Sequence, residues 1–354
     1  MAKKAFLRLM AVIITSASLL FSSTGECAEK LNVLTTHTVL KSIGEEVGKQ
    51  HVSVSCLATG KEDPHAIQAK PSYMVNARKA DLLIIIGMEM EIGYEQLVID
   101  GSRNNKIRFG QPGYLDVSLN VLRREVPTTR VDRSMGDVHP LGNPHYWMDP
   151  YNARIVAQSI AERLAQLDPD NAAEYRANCA DFMRRIDSAM FGEELVKEFG
   201  SERLWSLALA EQLDAFLKEK ARNDAGNGWY QQLQPYRGKQ IITYHRSWGY
   251  FAERFGLTVV AELEPKPGIP PSPGHLLQVV QIAQRHSVPV IVMEPYYSIR
   301  AADFVAEKTG AKVLEVTNAV GGQPGVNDYV SLIDSAVKKL KDALAESSEG
   351  IKQM

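Results

Sequence analysis

One pattern limits this chain more than any other: short β-rich apolar runs alternate with stretches of helical periodicity, and the alternation occurs twice. Parallel strands need a crossover rather than a tight turn, so this is the signal of a parallel sheet packed against its own connecting helices. In the first occurrence residues 31–35 read as a strand, 39–47 as a helix and 51–57 as a strand with β-branched alternation. Residues 80–87 (A-D-L-L-I-I-I-G) form an almost unbroken apolar run, as a strand covered on both faces requires. The second occurrence starts after residue 236, with strands expected over 240–244, 258–262, 289–294 and 312–316.

Between the two units lie helical stretches over 152–167 and, past Asp168-Pro169, over 172–190. The expected fold is therefore α/β, with two lobes that each hold a mostly parallel sheet flanked by helices. Their boundaries are placed at 29–165 and 193–354, with a linking helix over 166–192. No Gly/Ser-rich hinge separates them. Residues 191–236 read as helical over 202–220 and turn-rich near Gly226 and Gly228, and carry no evident chemistry. The Pro cluster at 265–273 falls between a strand and a helix and reads as a stiff loop.

At 354 residues and 45% hydrophobic, the chain is long enough to bury the core such a fold needs. Its formal charge is −2, without a basic stretch beyond the extreme N-terminus, which argues against a nucleic-acid partner. Lys3, Lys4 and Arg8 precede an apolar run over 9–21, too short for the ~20 residues that span a bilayer and suited to a secretory leader. Cleavage after Ala28 is expected, with the small residues at 23–25 as the alternative; it leaves 37 basic and 41 acidic side chains, a net charge of −4. Lipidation at Cys27 is disfavoured because Glu26 stands where such sites need a small side chain. The remaining Cys56 and Cys179 have no metal or redox spacing and are expected to be buried as small hydrophobes rather than joined.

Metal chemistry must therefore use histidine and carboxylate. His65 (E-D-P-H-A-I-Q), His145 (N-P-H-Y-W-M-D-P) and His245 (I-I-T-Y-H-R-S-W) each stand at an element end, and Glu294 closes the apolar run I-V-M-E-P. Ligands of open α/β sheets gather beyond the carboxyl ends of the strands, so these positions can converge although 80 and 100 residues separate the histidines. Three neutral imidazoles supply most of a tetrahedral zinc site, with a carboxylate or water to complete it; manganese would ask for more oxygen. His37 reads as a helix-start residue and His139 as a loop residue or an auxiliary ligand, while His51, His275 and His286 read as solvated.

D-P-H-A, N-P-H-Y-W-M-D-P, T-Y-H-R-S-W-G-Y-F-A and V-M-E-P-Y-Y-S, in that order, resemble the periplasmic metal-binding proteins of ABC-type zinc and manganese importers over residues 30–345. The resemblance implies two α/β lobes bridged by a long helix, one metal ion in the cleft, and delivery by a monomer to a permease in the inner membrane. Carried over position by position, it makes His65, His145 and His245 ligands, and histidine in the third place points to zinc (Zn²⁺) over Mn²⁺. The aspartate common after the family's last strand is Asn318 here. A neutral amide is a poor zinc ligand, so Glu294, as ligand or as a base behind the ligands, is the first candidate for the fourth role, ahead of water and Glu62.

Two other readings use the same residues. An exported zinc hydrolase would take Glu294 as general base, although the chain has neither H-E-x-x-H nor G-x-S-x-G. A binding protein for an organic ligand would line its cleft with Trp147, Tyr244, Trp248 and Tyr296.

Overall fold

The structure, a computed structural model, describes residues 30–129, 139–222, 227–266 and 268–352. The expected leader, its expected cleavage point and Cys27 lie outside them. Strands β1 (Leu31–Thr35), β2 (Val52–Cys56), β3 (Leu82–Ile85) and β4 (Tyr114–Asp116) make one sheet in the order β2-β1-β3-β4. Strands β5 (Gln240–Thr243), β6 (Thr258–Glu262), β7 (Val290–Met293) and β8 (Lys312–Glu315) make a second in the order β6-β5-β7-β8. All pairings are parallel, with Val33 opposite Val54 on one side and Leu82 on the other, and Ile242 opposite Ile291. In each sheet the chain reverses its direction of winding beside the first strand, between β1 and β3 and between β5 and β7, which is where α/β folds open a binding crevice.

Successive side chains on a strand point to opposite faces, and in β3 and β7 both faces are buried. Leu82 and Ile84 of β3 enter a core that also holds Ile241 of β5 and Val290 and Val292 of β7, whereas Leu83 and Ile85 enter a smaller cluster outside the first sheet. Ile242, Ile291 and Met293 do the same outside the second sheet. That is why the 80–87 and 289–294 runs carry no polar alternation. The shared core also takes in Ile160 of the Pro150–Leu167 helix, Phe182 of the Ala172–Phe191 helix and Leu340 of the Tyr329–Lys352 helix.

Polar bonds reinforce this common core. Trp147 Nε1 donates to the Asn318 carbonyl (2.8 Å), Tyr329 Oη donates to the Trp147 carbonyl (2.8 Å), and the Tyr329 N–H donates to Ser42 Oγ (3.0 Å). Arg254, in the Gly249–Phe255 helix, makes a two-pronged pair with Asp149 at 2.7 Å on each arm. Residues far apart in sequence are thus joined at the floor of the crevice.

Strand β4 was not among the sequence expectations. Three residues give no period to read, and it forms because Leu83 and Ile85 offer it a neighbour. The single helix expected over 202–220 is two, Ser201–Leu209 and Leu213–Glu219, broken where Glu211 takes a left-handed φ of 57°. A further helix, Glu193–Phe199, precedes them. Cys56 and Cys179 are separate free thiols, and only Cys179 is fully buried, its Sγ 3.8 Å from Met183 Sδ.

Candidate metal centre

Each histidine is held by a different local device. His65 follows β2 in a 3-10 turn, Pro64–Ala66, whose first amide is absent because Pro64 opens it and whose cap is Asp63, Oδ1 accepting from the His65 N–H at 2.9 Å. His145 precedes the Tyr146–Met148 turn, and Asn143 Oδ1 accepts both its backbone N–H and its ring Nδ1 at 2.9 Å. An amide oxygen can only accept, so Nδ1 carries the proton and Nε2 is left with its lone pair free. His245 leaves β5 in extended backbone, and its Nδ1 lies 2.7 Å from Glu264 Oε2.

The three rings meet. His65, His145 and His245 each offer a ligand nitrogen, all within 4.8 Å of one another, and ring centroids stand 5.1 to 5.2 Å apart in every pair. His65 Nε2 and His145 Nε2 are 3.2 Å apart. Donor nitrogens around tetrahedral zinc, with bonds of about 2.0–2.1 Å, are separated by about 3.3 Å, so the cluster is already near coordination spacing. His145 and His245 are buried, and His65 is part-exposed at the mouth.

The electrostatics keep two of the three imidazoles neutral, with lone pairs available to a metal. Burial, and then the neighbouring rings, hold His65 and His145 well below the ordinary imidazole pKa. Burial also lowers that of His245, but the hydrogen bond and charge of Glu264, with Glu294 and Asp63 behind it, outweigh burial and raise it. The Glu264–His245 pair has the arrangement in which a carboxylate orients a metal-binding imidazole and increases its basicity.

The other candidates fall as follows. Glu294 is fully buried at the end of β7, neither carboxylate oxygen has a well-aligned hydrogen-bond partner, and burial pushes its pKa up to about 7 against the pull of Ser247 and His245. It does not join the group of converging ligand atoms. Glu62 is spent on its own loop, accepting from the Thr59 N–H (2.8 Å), the Thr59 hydroxyl and the Lys61 N–H. The Asn318 side chain pairs with Tyr296 Oη, which it approaches at 3.2 Å through Nδ2. His37 caps the Thr38–Gly48 helix through Nδ1 and packs on Trp147 at 4.5 Å. His139 lies 5.2 Å from His65, ring to ring, with its Nε2 buried and unpartnered.

Glu264 is the residue that sequence reasoning missed. The signal was present, since Glu264 sits just beyond β6 in E-L-E-P as Glu294 sits just beyond β7 in M-E-P. The aromatic cleft expected for an organic ligand is not formed: Trp147 and Trp248 are wholly buried in the shared core, and Tyr244 is buried against Tyr297.

A family model described as ZnuA, zinc-uptake complex component A periplasmic, matches residues 33–190 and 208–343. The gap between them falls on the Glu193–Phe199 helix and most of the Ser201–Leu209 helix. The iron-binding protein YfeA of Yersinia pestis is 26% identical over 335 residues, covering 92% of this chain and 90% of that protein. The high-affinity zinc uptake system protein ZnuA of Bacillus subtilis (strain 168) is 23% identical over 328 residues, covering 90% and 89%. Among solved structures, a crystal structure of ZnuA superposes with a TM-score of 0.65 at 22% identity, covering 89% of this chain and 99% of that one.

Proposed function

The chain belongs to the zinc-uptake complex component A family of periplasmic metal-binding proteins, which capture metal ions for ABC importers, and from that premise we propose that its own cargo is zinc, held by His65, His145 and His245. The observation that carries the choice of ion is the donor set: three imidazoles at coordination spacing, with no carboxylate oxygen among the described residues in the same group. Imidazole suits zinc, while manganese favours oxygen donors. The fourth position is left to water, and the positive charge of the loaded site is balanced through Glu264, Asp63 and Glu294 around it.

The named relatives bind different ions, iron in one case and zinc in the other, so the test must be direct. Protein purified from the periplasm without chelator is expected to carry one zinc per chain by elemental analysis. In competition, an equimolar mixture of zinc and manganese should load zinc; manganese in excess over zinc would overturn the choice. Delivery is to an inner-membrane permease, with the protein acting as a monomeric carrier. No described helix is long and apolar enough to cross a membrane. As a carrier, the zinc-loaded protein is expected to turn over no ester, phosphate or peptide substrate.

The Glu264 contact gives a second prediction. Removing a carboxylate that orients a metal-bound imidazole costs roughly 10–100-fold in affinity, and Glu264→Gln is expected to fall in that range by isothermal titration calorimetry. The pH dependence follows from the direction of the His245 shift. Its pKa is raised in the metal-free protein, so zinc must displace a proton from it below that raised value. Affinity therefore rises with pH and levels off above the His245 pKa. In Glu264→Gln the proton is held less tightly, so the same curve should be displaced to lower pH while its plateau drops. An unchanged curve would remove Glu264 from this role.

A further inference from the structure

The segment that presents His65 meets the opposite half of the molecule at two points, one a close packing contact and one a hydrogen bond. Gly60, with φ of +81°, lies so close to the Val320 carbonyl that a Cβ there would come within 2.3 Å of the oxygen, and a Cβ on Gly322 would come within 2.7 Å of the Gly60 carbonyl. Four residues before Gly322, Asn318 is already committed to Trp147 and Tyr296, so this wall of the crevice is fixed. The second contact is a side-chain bond: Tyr297 Oη donates to Asp63 Oδ2 at 3.2 Å across 234 residues of sequence.

One carboxylate thus does two things. Its Oδ1 caps the turn by accepting the His65 N–H, and its Oδ2 holds Tyr297. Tyr297 is itself placed by the second ligand segment. Its ring stacks on Tyr244, the residue before His245, with centroids 4.1 Å apart and planes within 10°. The two rings and one carboxylate connect the backbone of His65 to the strand end that delivers His245.

We propose that the Tyr297–Asp63 bond is a latch that sets the rate at which bound metal leaves, by holding the His65 turn in register with His145 and His245. The proposal rests on the three-histidine reading above. His65 is the least buried of the three, so it is the ligand whose departure opens the site. Metal–ligand bonds tolerate only about 0.2 Å of displacement, so a small movement of this turn is enough to break one. His145 and His245 are tied to Asn143 and Glu264 by bonds independent of the latch. Tyr297 is in this sense a positioning residue.

The test is stopped-flow release of zinc from the full mature protein into excess chelator. Tyr297→Phe keeps the ring on Tyr244 and deletes only the hydroxyl. It is expected to release zinc about 10-fold faster, the scale of one lost hydrogen bond to a charged acceptor, while the metal-free protein still folds with at most the small drop in thermal midpoint that one such bond accounts for. Asp63→Ala should be at least as fast, whereas Asp63→Asn, whose amide can cap the turn and still donate to the Tyr297 oxygen, should return close to the parent rate. In a His65→Ala background the Tyr297→Phe change should add nothing, because the ligand that the latch positions is gone. Release at the parent rate from Tyr297→Phe, or an undiminished effect in the His65→Ala background, overturns the latch. A parent protein that holds no zinc at all would instead overturn the reading on which the latch rests.

Discussion

Replacing any one of His65, His145 and His245 with alanine is expected to reduce zinc affinity by more than about 100-fold, beyond the ~10–100-fold loss that follows when only a partner behind a ligand is changed. Three protein nitrogens are all that the described residues bring to a common point, so losing one leaves two, too few to exclude water from most of the coordination sphere. Their unequal burial sets the details. His145 is almost fully enclosed beside Trp147, and its removal leaves a small polar hole lined by Asn143, whose Oδ1 retains the backbone N–H of residue 145. The three rings pack on one another at the strand ends, so each variant should still fold.

Zinc itself provides the contrast. A ligand present at 1,000 times its dissociation constant stabilises the native state by about 4 kcal/mol. The parent protein should therefore show a large upward shift of its thermal midpoint with zinc, and the three variants no more than about a third of that stabilisation at the same concentration. Competition against a chromophoric chelator measures the affinity change directly. A variant that keeps parental affinity would take that histidine out of the site, and would do so residue by residue.

What could be read from the sequence depended on whether a feature was local. Every strand but β4 was legible, β3 and β7 most plainly because a strand buried on both faces must be a continuous apolar run, and Leu82–Ile85 and Val290–Met293 are such runs. The histidines were legible because the strand-end rule selects positions without any knowledge of contacts. The same rule at β6 also points to Glu264, but β6 is not wholly apolar as β7 is, so its end stands out less in the sequence. Trp147 and Trp248 illustrate an ambiguity, since an aromatic residue near a strand end looks the same in sequence whether it lines a cleft or fills the floor beneath it. Contacts such as Tyr297 with Asp63 leave no local trace, because nothing in either segment specifies a partner 234 residues away. Asn318 lies between these cases: it was visible as a departure from the resembled family, yet its tie to Tyr296 emerged only from packing.

The second large effect is on stability, at the Asp149–Arg254 pair. Both side chains are buried, the two arms are each 2.7 Å, and the pair connects the start of the Pro150–Leu167 helix to the Gly249–Phe255 helix. Burial alone would lower the Arg254 pKa, but the charge and hydrogen bonds of Asp149 overcome it and raise it, so the cation persists in the interior only because its partner is there. Trp205 stacks beneath the guanidinium with its ring centroid 5.6 Å away, which softens the desolvation without replacing the carboxylate. Asp149 is also the cap of the long helix, Oδ1 accepting from the Tyr151 N–H at 3.0 Å. Asp149→Ala therefore strands a buried charge, for which the usual cost is about 3–5 kcal/mol, and removes a cap worth about 1 kcal/mol that shares the same oxygen and so does not simply add. Urea unfolding of the metal-free protein should show the lower midpoint with an unchanged denaturant slope. The double variant Asp149→Leu with Arg254→Met removes both charges and should recover most of the loss, because an apolar pair of similar volume needs no partner. A single Asp149→Ala variant that loses less than about 1 kcal/mol would mean that water reaches Arg254 in its place, and that the halves of the molecule are held by the apolar core rather than by this bond.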